Sequence, residues 1–308
     1  MKHKPGQYRR QSLTLAERAR EHGFSLIEMM ISMAILLVVT TAAFSAMRYY
    51  QQSYGSTRLR AVMHEGVRGV VELMTQEVGQ AGLLNFTPTT TTTPVVPSAA
   101  AQTATLNSVN AIFVGESLVV DTGANEETVT VTAVDPALST VTAVFTAAHP
   151  AGTAIRAYGV FPQGLLSSST GTELRLFGDI NNDGTLVYLK YACDTASGTF
   201  TRSVTPITPS AAAANAPETL LDNLIANPGG TPCFQYTSTV AGPYTFVTSV
   251  GITLSVRTTT VDPQTRQFVN MTKSFLNLSP RNVLSGLSLA RLGYTSRLQN
   301  APPNVPLP

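Results

Sequence analysis

The longest apolar stretch of the chain lies near its start, at residues 24–47, and contains a single charged residue, Glu28. As an α-helix that rises about 1.5 Å per residue, this stretch would extend about 36 Å, which is enough to cross a hydrocarbon core of about 30 Å. The pattern therefore predicts a transmembrane helix over residues 24–47.

Apolar positions then recur about every 3.6 residues, which predicts that the helix continues as an amphipathic segment over residues 48–84. Gly82, Asn85 and Pro88 end the periodic pattern. Because such a stripe usually faces a core, we expect the second half of the helix to pack on a globular head. The stripe consists of Leu59, Met63, Val67, Val70, Met74, Val78 and Ala81.

The rest of the chain favours short strands. Residues 85–105 are rich in Thr and Pro and are predicted to be a linker. Residues 106–158 alternate at period two between turn signals, which predicts a small β module, and residues 159–285 predict an antiparallel β head before a tail at 286–308. The expected fold class is α+β: one long N-terminal helix, transmembrane and then amphipathic, packed on a β head with the β module inserted.

Composition and charge exclude several classes of protein. Of the 308 residues, 43% are hydrophobic and 12% are charged, about half of the charged share of an average soluble domain. This excludes a coiled coil and a nucleic-acid binder with a broad basic face. Residues 1–23 carry six Lys and Arg against two Glu, a balance of +4, although the net charge is only +2. We expect this basic leader to stay on the cytoplasmic side of a membrane.

Glu28 needs an explanation, because a carboxylate in a membrane helix costs roughly 2.5–3.5 kcal/mol. Ser25 and Glu28 fit a capping box, in which the carboxylate accepts a hydrogen bond at the helix start. Two simpler interpretations of the segment stay open. One is a secretory signal cut near Ala43 and Ser45, and the other is a plain membrane anchor.

The string GFSLIE at residues 23–28, after a basic leader and before an apolar helix, resembles the type IV prepilin cleavage and methylation motif. The resemblance implies that a prepilin peptidase cuts after Gly23 and methylates the new amine of Phe24. Glu28 would become the fifth residue of the mature chain. Its buried carboxylate would then need a cationic partner, which the amine of a neighbouring subunit can supply, so that Glu28 sets subunit register in a filament.

A second likeness is to the PilW family of minor pilins, at residues 73–82, 220–224 and 281–283. It implies a minor pilin with a structural or priming role in type IV pilus assembly. Its partners would be the prepilin peptidase and methyltransferase, other minor and major pilins and the inner membrane, with no nucleic acid. The protein would cross the inner membrane once, with a cytoplasmic N-terminus before cleavage and a periplasmic head, and would reach the pilus or cell surface after assembly.

Two alternatives to this role stay open. A minor pseudopilin of type II secretion would share the leader and the fold. A membrane-anchored, adhesin-like protein would instead bind surfaces through residues 106–158.

Cys193 and Cys233 are the only cysteines, and both fall in the predicted periplasmic part, where disulfides persist. A disulfide between them would stabilise the head by roughly 4 kcal/mol in the chain-entropy model. Two buried thiols are the alternative.

Asp179, Asn181 and Asp183, followed by Gly184, match the first half of a calcium loop. Lys190 stands where the loop needs a bidentate Glu, and a β-turn explains the same residues. Both interpretations stay open. The sequence contains no G-x-S-x-G, H-E-x-x-H, Walker or Rossmann pattern, so we expect no enzymatic activity and no cofactor apart from this candidate Ca²⁺.

Overall fold

A computed structural model describes residues 23–157, 159–207 and 215–302. The chain divides into two compact units, the first ending at Tyr54 and the second beginning at Gly55. One helix, α1 (Leu26–Gln80), contributes residues to both units. Antiparallel β-sheets follow it, which confirms the α+β, pilin-like fold class. The predicted leader lies outside the described residues except for Gly23, as do residues 303–308 of the predicted tail.

In the first unit, every described residue from 23 to 51 is exposed. These side chains are largely apolar, and α1 is the one helix in the described part of the chain that is long and apolar enough to cross a membrane. A helix that is apolar on all sides is expected where lipid rather than protein surrounds it. The finding agrees with the transmembrane segment predicted over residues 24–47.

In the second unit, α1 packs on the β head through the predicted stripe. Leu59 is half-buried and the other six stripe residues are buried. They share a core with strand residues such as Leu189, Phe200 and Leu254. Burying a side chain of this size contributes about 1.5–3 kcal/mol, so this face of the helix is a main source of the head's stability.

The β head holds two sheets and a short helix. One sheet has the order β11-β10-β9-β8, and in the other β14 pairs with β12 and β13 on one side and with β15 on the other. All of these pairings are antiparallel. The elements are β8 (Glu173–Gly178), β9 (Val187–Asp194), β10 (Thr199–Pro206), β11 (Glu218–Leu221), β12 (Leu224–Ile225), β13 (Phe234–Ala241), β14 (Tyr244–Arg257), β15 (Asn270–Leu278) and α2 (Arg281–Arg291).

The β module spans residues 89–157 in the structure and has its own hydrophobic core. Its two sheets have the orders β1-β7-β3-β4 and β2-β6-β5. The strands are β1 (Thr89–Thr90), β2 (Gln102–Thr105), β3 (Ser117–Val120), β4 (Glu127–Thr130), β5 (Ala133–Asp135), β6 (Thr140–Ala143) and β7 (Ala154–Ala157).

Two segments differ from their predicted roles. The predicted linker at 85–105 supplies β1 and β2, and its Val95 and Ala104 lie in the module core. Thr favours strands, so a Thr tract pairs readily once a partner strand is present. The predicted tail from 286 begins inside α2, and Leu287 and Leu298 pack with Phe246.

Glycines permit a close crossing where α1 ends. Gly82 has a φ of +77°, and its amide donates to the carbonyl oxygen of Phe177 at 2.8 Å. A Cβ atom on Gly164 would lie 2.3 Å from the Cα of Gly82, so any side chain there would collide with backbone. The crossing holds the helix end against the first strand of the head sheet.

Candidate functional site

The Gly23–Phe24 junction lies in an exposed, non-helical stretch just before α1 begins. Among the described residues, none but its chain neighbours comes within 4 Å of the position that a Cβ on Gly23 would take, and the Phe24 side chain is exposed. A peptide bond in this setting is open to a protease, because the backbone can be approached without displacing packed side chains.

Glu28 caps the start of α1. Its Oε2 accepts a hydrogen bond from the backbone amide of Ser25 at 3.0 Å, and the Ser25 carbonyl accepts the amide of Met29 at 3.1 Å. This is the carboxylate half of the capping box suggested by the sequence. Among the described residues, no basic side chain forms an ion pair with Glu28. The carboxylate therefore faces outward and can accept a partner.

A buried ion pair attaches the C-terminal end of α1 to the β head. Glu77 is buried, and it accepts hydrogen bonds from the Tyr191 hydroxyl on β9 and the Arg202 guanidinium on β10. Burial, together with the Glu77 charge, raises the pKa of Tyr191 above its ordinary value. Burial by itself lowers the pKa of Arg202. The hydrogen bonds to Glu77 and the negative charge of Glu77 outweigh burial, so the pKa of Arg202 lies above its ordinary value. The periodicity had placed Glu77 off the apolar stripe, and it gave no signal for partners more than 100 residues away.

A second polar contact holds the start of this helical segment. The buried Asp262, in the β14–β15 connection, accepts a hydrogen bond from the Ser56 hydroxyl at 2.8 Å, and Arg60 lies 3.7 Å from the same carboxylate. Burial raises the pKa of Asp262, but hydrogen bonds from Gln264 and Ser56 outweigh it and keep the pKa below its ordinary value. A Cβ on Gly55 would lie 3.1 Å from Pro263, so the absence of a side chain there lets the connection approach the helix.

Cys193 and Cys233 form a disulfide, with their Cα atoms 6.5 Å apart. Cys193 lies on β9 and Cys233 directly precedes β13, so the bond joins the two sheets of the head. Both residues are buried in the core that also holds the α1 stripe.

The Asp179 loop is organised around one buried carboxylate. Asp179 Oδ1 accepts the amide of Asp183 at 3.0 Å, and Oδ2 accepts the amide of Gly184 at 2.8 Å. Asn182 and Gly184 take positive φ values of 56° and 83°, as the turn interpretation requires, and Asn181 is exposed. Within residues 23–157, 159–207 and 215–302, no group of three or more His, Cys, Asp or Glu is arranged to hold a metal. The calcium interpretation stays a prediction.

The β module buries a histidine between two carboxylates. His149 Nδ1 lies 3.2 Å from Asp121 Oδ2, and its Nε2 lies 2.6 Å from Glu127 Oε1. Hydrogen bonds from Thr122 and His149 hold the pKa of Asp121 below its ordinary value. Burial raises the pKa of Glu127, but hydrogen bonds to it outweigh this and lower the pKa. No local sequence pattern indicates this arrangement, because the two acids lie 22 and 28 residues away from His149.

Glu116, directly before β3, is fully buried. Its Oε2 accepts the Phe113 amide at 3.1 Å, and its Oε1 has no hydrogen-bond partner among the residues that the structure describes. Burial raises the pKa of Glu116 to about 8. The carboxyl group is therefore mostly protonated at neutral pH.

A cavity of about 530 Å³ lies between the β module and the β head. Ile112 and Phe113 line it from the module, and Leu186 and Ile207 line it from the head. Its described lining contains no charged side chain. The cavity lies within the size range of ligand pockets, about 300–1,000 Å³.

Residues 18–44 match the family model described as Prokaryotic N-terminal methylation motif. The match covers the Gly23–Phe24 junction, Glu28 and most of the apolar stretch. No curated protein and no solved structure matches the chain. The motif supports a prepilin-like protein that is processed by a prepilin peptidase and associates with a membrane.

Proposed function

We propose that this prepilin-like protein is a minor pilin that takes part in type IV pilus assembly as a structural or priming subunit. One observation carries the proposal: a methylation motif whose cleavage junction is exposed, followed by an apolar stretch, residues 24–47, whose side chains are all exposed. A surface of this kind is suited first to lipid and then to the matching helices of other subunits.

Cleavage after Gly23 would change the electrostatics of the segment in two ways. It removes a leader with a balance of +4, which would otherwise hold the N-terminus at the cytoplasmic face. It also creates a cationic amine on Phe24, four residues from Glu28. At an effective dielectric constant of 20, two unit charges 4 Å apart attract by about 4 kcal/mol, so pairing Glu28 with a neighbour's amine favours one axial register.

The minor rather than major role rests on the likeness of residues 73–82, 220–224 and 281–283 to the PilW family. The β module adds to this support, because it enlarges the head with a second hydrophobic core. Such an addition is easier to accommodate at a few positions of a filament than in every subunit.

Mass spectrometry of the mature N-terminus, combined with a deletion strain of the source bacterium, tests the proposal. We expect a chain that begins with N-methylated Phe24, and loss or strong reduction of surface pili on deletion. An intact Met1, or a start near Ala46, would refute processing at this motif. Normal piliation together with lost protein export would instead identify a type II secretion pseudopilin.

The uncharged cavity beside the β module favours a second candidate function, surface binding. Leu83 and Val160 pair antiparallel at the base of the module, so a short turn can replace residues 86–158. We expect the resulting strain to keep its filaments and to lose adhesion. Unchanged adhesion would rule out a binding role for the module, and loss of filaments would instead show that the module is needed for assembly.

A further inference from the structure

Three tyrosines follow directly after the apolar stretch of α1, all within the first unit. Tyr49, Tyr50 and Tyr54 have exposed fractions of 60%, 72% and 73%. The rings of Tyr49 and Tyr50 contact each other edge to face, with centroids 6.1 Å apart. In the described part of the chain, their hydroxyl groups have no hydrogen-bond partner, so these large side chains do not serve the internal packing of the first unit.

Their position along the helix coincides with the end of the lipid-compatible stretch. From Leu26 to Met47 the helix extends about 32 Å at 1.5 Å per residue, close to the thickness of a hydrocarbon core of about 30 Å. Arg48 follows, then Tyr49 and Tyr50, and three polar residues at 51–53 separate these from Tyr54. When residues 26–47 cross the hydrocarbon, Arg48 and the tyrosines lie at the level of the lipid headgroups.

The tyrosines are also spread around the helix. Because successive residues are about 100° apart, Tyr50 and Tyr54 share a face and Tyr49 extends the occupied arc to about 140°. A tyrosine ring is apolar while its hydroxyl is polar, and this combination is favoured where hydrocarbon meets water. Arg48 can extend its guanidinium toward phosphate groups at the same level.

We propose that Tyr49, Tyr50 and Tyr54 form an interfacial anchor, in which the three rings insert among phospholipid headgroups at the head-side end of the membrane helix. The proposal rests on the membrane-anchored part of the proposed function and not on the minor-pilin role. Arg48 lies 20 residues after Glu28, a rise of about 30 Å. The anchor would therefore hold Glu28 at the opposite border of the hydrocarbon core, ready to meet the amine of a neighbouring subunit.

The chain contains no tryptophan, so a single Tyr→Trp substitution gives a unique fluorescent reporter of depth. The full chain is reconstituted in phosphatidylcholine and phosphatidylglycerol vesicles that contain lipids brominated at different acyl-chain positions. We expect Tyr50→Trp and Tyr54→Trp to be quenched most by the shallowest bromines. Leu37→Trp, in the middle of the span, is the deep control, and Tyr294→Trp, exposed in the β head, is the control outside the bilayer.

A Tyr50→Trp signal that is unquenched, like that of Tyr294→Trp, would overturn the proposal. So would a signal quenched as deeply as that of Leu37→Trp. Quenching that disappears when the protein-to-lipid ratio rises would show that the tyrosines pack against a second copy of the chain, and this too would overturn it.

A second measurement tests whether the tyrosines hold the helix in place. The reporter is Phe44→Trp, combined with Tyr49→Ser, Tyr50→Ser and Tyr54→Ser. We expect its depth profile to shift and broaden, whereas Gln51→Ser with Gln52→Ser leaves it unchanged. An unchanged profile in the triple variant refutes the anchor. Cleavage before Phe24, measured on the same variants in cells, reports on the proposed function separately.

Discussion

Two glutamates of α1 occupy opposite environments, and the environment decides the role of each. Glu28 is exposed in the first unit, and among the described residues its carboxylate is held by the backbone amide of Ser25 alone. Glu77 is buried in the second unit and is paired with Tyr191 and Arg202. The first carboxylate keeps capacity for an external cation, whereas the second is satisfied inside the chain and serves stability.

Glu28→Leu tests the assembly role at the scale of one residue. Removing the carboxylate should leave cleavage after Gly23 intact, because the junction itself is unchanged, but it removes the partner for a neighbour's amine. We expect strong loss of the protein from the purified pilus fraction, measured by immunoblot. Glu65→Leu, at another exposed acid of the same helix, is the matched control and should assemble normally. Ordinary incorporation of Glu28→Leu would contradict electrostatic docking.

The buried Glu116 predicts a pH dependence of stability. Its pKa in the folded chain is about 8, against an ordinary value of 4.5. Because the folded pKa is the higher one, its contribution to stability is complete below pH 4.5 and is lost as the pH rises through 8. The loss amounts to at most about 5 kcal/mol.

Glu116→Gln removes the titrating group. The unfolding free energy of this variant should therefore vary less between pH 5 and 8 than that of the parent chain, by up to about 5 kcal/mol. Urea unfolding followed at several pH values measures this. Parallel pH profiles for the two proteins would show that Glu116 does not titrate as its burial implies.

At the scale of elements, two contacts determine where the second half of α1 meets the β head. The apolar stripe supplies most of the burial but little directional preference. The ion pair from Glu77 to Arg202, and the hydrogen bond from Ser56 to Asp262, each fix one point along the helix. The disulfide between Cys193 and Cys233 holds together the two sheets against which the helix packs.

Glu77→Ala should destabilise the second unit strongly, because it leaves the partly buried Arg202 with only the exposed Glu218, 3.9 Å away, as a counter-charge and removes the acceptor of the Tyr191 hydroxyl. Removing one partner of a buried pair typically costs about 3–5 kcal/mol. Glu72→Ala, at an exposed position of the same helix, should change stability by no more than about 0.5 kcal/mol. Denaturant unfolding of the full chain in detergent measures both.

A double variant, Glu77→Ala with Arg202→Ala, should be less destabilised than the sum of the single variants, because it removes both charges. Equal effects of Glu77→Ala and Glu72→Ala would mean that the pair contributes nothing to docking.

At the scale of the second unit, a late segment of the chain joins the β module to the β head. Gln299 is buried; its side chain accepts the Ser117 amide and donates to the Ser117 carbonyl, both at 2.9 Å. Its backbone amide donates to the carbonyl of Val160 at 3.1 Å. The rings of Phe113 and Phe161 also meet, with centroids 5.9 Å apart. The module is thus attached by specific contacts as well as by its two chain connections.

Gln299→Ala should loosen this attachment. It removes both side-chain hydrogen bonds to Ser117 and leaves two partly buried backbone groups without these partners, at a cost of at most about 1–3 kcal/mol for each group. We expect faster hydrogen exchange at Ser117 and Leu118, measured by mass spectrometry, while α1 residues 63–78 exchange as in the parent chain. Unchanged exchange around Ser117 would show that Gln299 is dispensable for the attachment.

Local sequence patterns predicted helix α1 reliably, but they predicted the strands and the buried polar residues of the β module less well. The stripe from Met63 to Ala81 was predictable because a helix repeats every 3.6 residues, whatever it packs against. The predicted linker at 85–105 contains strands because a Thr tract becomes a strand only when a distant partner pairs with it, and β7 is such a partner for β1. Burial of His149 and Glu116 depends in the same way on strands that meet in three dimensions.

The sequence by itself determined the apolar span, the processing motif around Gly23, the position of Glu28 and the amphipathic face of α1. All of these follow from the order and spacing of neighbouring residues. Only the tertiary structure decided that Glu77 pairs with Arg202, that His149 lies between two acids and that Gln299 holds the β module. Those contacts join residues 22 to 182 positions apart, and no local pattern encodes which distant strands will bury a given side chain.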